Sequence, residues 1–157
     1  MKNIKNIISF IIMSIVLIAC EDKALENADW LKDPVFDNPM TLTLSNKDLV
    51  LTGGNDTAEA ITFTWTTGND RGAGTTLKYF FLMDVVGNNF SEQTALVEEI
   101  PTGVFTKSYT VGQLNSLILL KFKRPEGVVT NLEVQIIARV DNSTQYQKPE
   151  IATSSFS

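Results

Sequence analysis

Residues 61–66 read ITFTWT, and their alternation is unbroken: Ile61, Phe63 and Trp65 fall on one side, Thr62, Thr64 and Thr66 on the other. Side chains of an extended chain alternate with a period of two, so this is a strand with one face in a core and one in water. Residues 76–86 (TLKYFFLMDVV) make a longer strand in which Leu77, Tyr79, Phe81 and Met83 fit the core. Residues 132–140 (LEVQIIARV) make another, with Leu132, Val134, Ile136 and Ala138 inward. Around these, TLTL at 41–44 alternates, KDLVLT at 47–52 is expected to extend as well, and weaker strands are predicted at 94–100 and 105–109. Turns rich in Gly, Asn and Asp separate them at 53–56, 68–74 and 87–89. Short strands broken by turns about every ten residues predict an all-β sandwich.

One segment departs from the β pattern. Across residues 110–120 (TVGQLNSLILL), Thr110 and Gln113 have the spacing of a capping box, and Leu114, Leu117 and Ile118 share one helical face. Pro125 ends the helix, which is expected to cross between the two sheets. Lys121, Lys123 and Arg124 complement the negative helix C-terminus; read otherwise, they are a small patch for an anionic ligand.

Ahead of the sandwich lies a different kind of sequence. Basic residues 1–6 precede an apolar run at 7–18 that is shorter than the roughly 20 residues needed to span a bilayer, and Glu21 and Asp22 close it. The chain has one cysteine, Cys20, and no histidine, so neither a disulfide nor a Cys/His metal site is available to it. Leu17, Ile18, Ala19 and Cys20 resemble a bacterial lipobox, in which the apolar run is a signal peptide (residues 1–19) and Cys20 is acylated to anchor the chain in a membrane. Residues 20–40 carry many acids, Pro34 and Pro39, and no sustained period, the composition of an extended tether reaching roughly 65 Å when fully stretched. The sandwich domain then occupies residues 41–157.

The formal charge of −5 becomes more negative once Lys2 and Lys5 leave with the signal peptide, which argues against nucleic acid and against anionic lipid surfaces as partners. Catalysis is not expected either. Glu98 and Glu99 are neighbours on a strand and point to opposite faces, and without His or a free thiol the usual nucleophilic arrangements cannot be built. The Gly-Asn-Asp turns at 53–56 and 68–70 lack the further carboxylates of a calcium cage, so neither metal nor cofactor is expected.

The order of several short features resembles a known family. Phe63-Thr64-Trp65, Tyr79 with Asp84, Gly87-Asn88-Asn89-Phe90, the Leu114-Asn115 helix and Val134-Gln135-Ile136-Ile137-Ala138, following the lipobox, are similar to the N-terminal domain of SusE-type outer-membrane lipoproteins. Those proteins are accessories of starch-utilisation systems in Bacteroidota. The resemblance covers roughly residues 41–154 and implies an immunoglobulin-like or fibronectin III-like fold with Trp65 and Tyr79 at its centre. It also implies a non-catalytic, lipid-anchored, cell-surface module that serves as spacer and docking unit of a SusC/SusD-type glycan-uptake system. A structural or adhesive surface subunit unrelated to glycans is the other reading. The acids after Cys20 fit either a surface-export signal or a solvated linker. Members of the family continue into C-terminal carbohydrate-binding domains that hold the glycan contacts. This sequence stops at Ser157, within or just after the expected last strand, so no glycan-contacting residue transfers to it.

Remaining candidates come from exposure and short motifs. Trp30, Tyr109 and Tyr146 are the aromatics free to stack on a polysaccharide, while Trp65 and Tyr79 belong in the core. Asp56-Thr57-Ala58 resembles the O-glycosylation sequon of exported Bacteroidota proteins, which puts a glycan on Thr57, and it equally reads as a plain polar turn. Finally, the inward sets chosen above leave Phe80, Leu82 and Ile137 pointing outward on neighbouring strands. They form an apolar patch that either docks a partner or is covered by a loop or by Trp30, Leu31 and Phe36 of the tether.

Overall fold

Alternating sequence becomes paired sequence in nearly every place expected. The computed structural model describes residues 36–69, 71–72, 75–143 and 146–157. Among them, the strands are β1 (Leu42–Leu44), β2 (Glu59–Trp65), β3 (Leu77–Val85), β4 (Leu96–Ile100), β5 (Thr106–Thr110), β6 (Leu132–Val140) and β7 (Glu150–Phe156). Helix α1 (Val111–Ser116) and a π-helical turn (Leu117–Lys121) lie between β5 and β6. The strands make two antiparallel sheets, β1-β2-β5 and β4-β3-β6-β7, and α1 carries the chain from one to the other. The fold is thus the predicted all-β sandwich with one short crossover helix. Signal peptide, Cys20 and Trp30 lie outside the described residues.

The inner faces supply the core. Phe63, on β2, is fully buried and meets three rings edge-on: Phe81 of β3 at 5.2 Å, Phe156 of β7 at 5.6 Å and Tyr109 of β5 at 6.3 Å between centroids. These rings come from both sheets, so the centre of the sandwich is Phe63 rather than the expected pair Trp65 and Tyr79. Trp65 and Tyr79 are buried nearer one end, where the Tyr79 hydroxyl donates to Thr67 O at 2.7 Å and its ring packs on Phe105. β3 has neighbours on both sides and buried residues on both faces, which explains its nearly continuous apolar run.

Two expectations need correction. Residues 47–52 do not form a strand, although two backbone bonds tie them to the residue after β7: Ser157 N donates to Lys47 O and Leu49 N to Ser157 O. The alternation there has another cause, since Leu49 and Leu51 pack on the core while Val50 faces water. Tyr109 is also misassigned as an exposed aromatic. It points inward from β5 with 7% exposure, and its hydroxyl donates to Glu98 Oε1 at 3.2 Å across the open side between the sheets. Burial first, then the Glu98 charge and this hydrogen bond, raise the phenol's pKa far above its ordinary value, so it stays a donor. Lys107 Nζ donates to the other Glu98 oxygen. Glu99, on the opposite face as its position requires, sits 3.6 Å from Lys78 Nζ.

The capping box forms as read, with Gln113 N donating to Thr110 Oγ1 at 3.3 Å and Thr110 N to Gln113 Oε1 at 2.9 Å. Leu114 is fully buried. Gly112 lets the turn before β2 approach: a Cβ there would stand 3.0 Å from Asp56 Cβ, and Gly112 N donates to Asp56 O.

At the other end of β7, Glu150 is 3% exposed and gathers the chain's entry into the sandwich. Its Oε1 accepts from Met40 N, its Oε2 from Asn69 N at 3.1 Å, and Arg71 Nη2 lies 3.9 Å from Oε2. Asn69 and Asn38 exchange two further hydrogen bonds, and Arg71 stacks its guanidinium 4.5 Å above the Phe36 ring. Gly68 adopts φ +74°, and a Cβ there would fall 2.8 Å from Glu150 Oε2, so only glycine leaves room for the carboxylate.

Candidate functional site

The outer face of β4-β3-β6-β7 carries the residues expected to dock a partner, and the strand register places them. Phe80 stands opposite Ile137, and Ile137 opposite Ile151; Leu82 stands opposite Val97 on one side and Gln135 on the other. An apolar band therefore crosses the sheet diagonally from Val97 on β4 through Leu82, Phe80 and Ile137 to Ile151 on β7. Val97 and Ile151 are about half exposed, at 54% and 50%. Phe80 and Ile137 are half-buried. Arg139 holds its guanidinium 4.9 Å above the Phe80 ring, leaving the band bordered by a cation. Lys78, beside it, sits 3.2 Å from Asp141 Oδ1; that hydrogen bond and the charges of Asp141 and Glu99 raise the ammonium's pKa.

Leu82 must be taken out of the accessible set. It points outward as predicted yet is 8% exposed. The next outward residue, Asp84, is fully buried: its Oδ1 accepts from Val85 N at 2.8 Å and Asn88 Nδ2 at 2.9 Å, its Oδ2 from Thr94 Oγ1 at 2.7 Å. Two of these bonds, from Asn88 and Thr94, pin the β3–β4 connection to Asp84. Phe36, offered as a cover from the tether, is instead engaged with Arg71. What stays open is Phe80, Ile137, Val97 and Ile151. Sequence reading missed the last two because Val97 lies in a short, acid-rich strand and Ile151 next to a charged residue. Both become visible once β4 and β7 are paired in register.

The other candidates do not converge. Tyr146 is 76% exposed, Tyr109 is in the core and Trp30 is outside the described residues, so no stacking platform of several rings is assembled among those described. Thr57 is exposed in the turn held against α1 by the Asp56 and Ala58 carbonyls, a position open to modification. Among the described residues no group of three or more His, Cys, Asp or Glu is placed to hold a metal. The two buried acids, Asp84 and Glu150, have their oxygens occupied by structural donors.

Comparison with known proteins gives one result. A family model described as SusE outer membrane protein matches residues 31–137, which run from ahead of β1 into β6 and include Phe80, Val97 and Ile137. No curated protein and no solved structure matches the chain.

Proposed function

The chain belongs to the SusE outer membrane protein family, and from that premise we propose that it is a lipid-anchored, non-catalytic accessory of a SusC/SusD-type glycan-uptake system. The family makes it an outer-membrane protein of a Sus system. In this reading Cys20 carries the anchor, residues 20–40 are the tether, and the sandwich is a spacer on the cell surface whose outer face docks a membrane partner. Strand order supports an immunoglobulin-like or fibronectin III-like assignment, with the first, second and fifth strands in one sheet and the fourth, third, sixth and seventh in the other. The observation that carries the docking role is the open apolar band at Phe80, Ile137, Val97 and Ile151, on a face that the core does not need. Polysaccharide contact through Tyr146 is a lesser element of the reading, as is a glycan on Thr57.

Anchoring is tested at Cys20. Cys20→Ser removes the sulfur that takes the diacylglycerol, so the precursor should lose palmitate labelling and move from the detergent phase to the aqueous phase. Partitioning that survives the substitution would make the apolar run at residues 7–18 the anchor instead, and the lipoprotein reading would fall.

A further inference from the structure

The end of the sandwich away from Glu150 has a different chemistry. A cleft of about 420 Å³ opens between residues 48–51, α1 and the connection at residues 125–130. Val50, Val128 and Val129 stand at its rim with 86%, 59% and 81% of their surface exposed. Three such side chains in water are not explained by packing. Beside them the π-helical turn sends Phe122 into the core, and its N–H donates to Leu117 O at 2.9 Å. The chain then reverses through Lys123 at φ +56°, a left-handed conformation costly for any residue but glycine. The result is that Lys121, Lys123 and Arg124 are all exposed, and among the described residues none of them is in a salt bridge. Arg124 shares a wall with Val128 and Val129. In a chain of charge −5, the segment leading to these valines has the opposite sign locally: between residues 121 and 126, Lys121, Lys123 and Arg124 face one acid, Glu126.

We propose that this corner rests on an anionic lipid surface, with Val128 and Val129 entering the headgroup layer and Lys121, Lys123 and Arg124 against its phosphates. Apolar tips set among unpaired cations match a surface that is anionic outside and hydrocarbon beneath. A polyanion such as nucleic acid gives the valines nothing to enter. The inference rests on the anchored reading above, because a chain tethered at Cys20 meets the membrane at high local concentration. Fully extended, the stretch from Cys20 to Phe36 reaches roughly 50 Å, more than the roughly 30 Å length of a strand such as β3, so the tether lets this end face the bilayer.

The test uses the full chain, held by its own anchor in vesicles of phosphatidylcholine with or without phosphatidylglycerol. An environment-sensitive fluorophore on Val129→Cys should shift to the blue only with phosphatidylglycerol. The shift should vanish at high salt and in the triple variant Lys121→Glu, Lys123→Glu, Arg124→Glu. The same fluorophore on Ile151→Cys should not respond. Lys123→Gly separates binding from architecture: relief of the left-handed strain should raise the melting temperature while the blue shift weakens. No shift with phosphatidylglycerol overturns the proposal, as does an equal shift at Ile151, indifference to charge reversal, or a shift that needs added outer-membrane proteins. Failure of the anchor is visible separately, as a free Cys20 thiol and a chain that does not float with phosphatidylcholine vesicles. In that event, flotation with phosphatidylglycerol vesicles alone still supports the corner, and its absence overturns it.

Discussion

Glu150→Ala is expected to destabilise the sandwich by about 3–5 kcal/mol, the cost of removing one partner from a buried charge pair. The carboxylate is nearly inaccessible and accepts from two backbone N–H groups, Met40 and Asn69, with Arg71 on its flank. Once it is gone, those donors and a guanidinium that is 9% exposed have no acceptor in place, and the water that would solvate them is excluded. The damage should be directional. Met40 and Asn38 hold the entry to β1, a strand of three residues, so amide exchange should rise first from Asn38 to Leu44. Urea unfolding with exchange mass spectrometry measures both. A loss below about 1 kcal/mol, or exchange that rises uniformly, would show that the carboxylate does not clamp the entry.

Phe63→Ala should cost about 3–5 kcal/mol as well, from lost burial and the cavity left behind. The domain's total stability is expected near 5–15 kcal/mol, so this variant should sit close to the folding threshold. Phe63 touches aromatic rings on both sheets, whereas Trp65, equally buried, has no such ring partners among the described residues. The expected order is therefore Phe63→Ala worse than Trp65→Ala in denaturant midpoint, with similar slopes. The reverse order would return the centre of the core to Trp65.

Much of this architecture was legible in the sequence because the deciding signals are local. ITFTWT and LEVQIIARV have unambiguous inward sets, and the capping box at Thr110 and Gln113 needs only residues three apart. The errors share a cause, since each depends on what lies opposite. Residues 47–52 alternate like a strand, but the alternation comes from Leu49 and Leu51 packing on the core while Val50 faces water. Tyr109 looks free until Glu98, from the other sheet, is seen to accept its hydroxyl. Leu82 points outward yet lies at the end of the face where Asp84 pins the β3–β4 connection. Glu150 gave no local sign of burial, because its partners come from residues 38–40 and 69–71, far away in the chain. For the candidate site, Phe80 and Ile137 were readable from alternation alone, while Val97 and Ile151 required the register of both flanking strands.

The central claim is that the outer sheet face joins this chain to a glycan-uptake complex, and affinity purification from detergent-extracted outer membranes tests it directly. The tagged chain should bring down a SusC/SusD-like pair. The double variant Phe80→Ser, Ile137→Thr should lose that pair while its melting temperature changes by no more than a few degrees, since neither side chain is in the core. Retention of the pair by a double variant that is strongly destabilised would assign Phe80 and Ile137 to internal packing. Recovery of fimbrial or adhesive subunits in place of any Sus-like protein would contradict the account altogether.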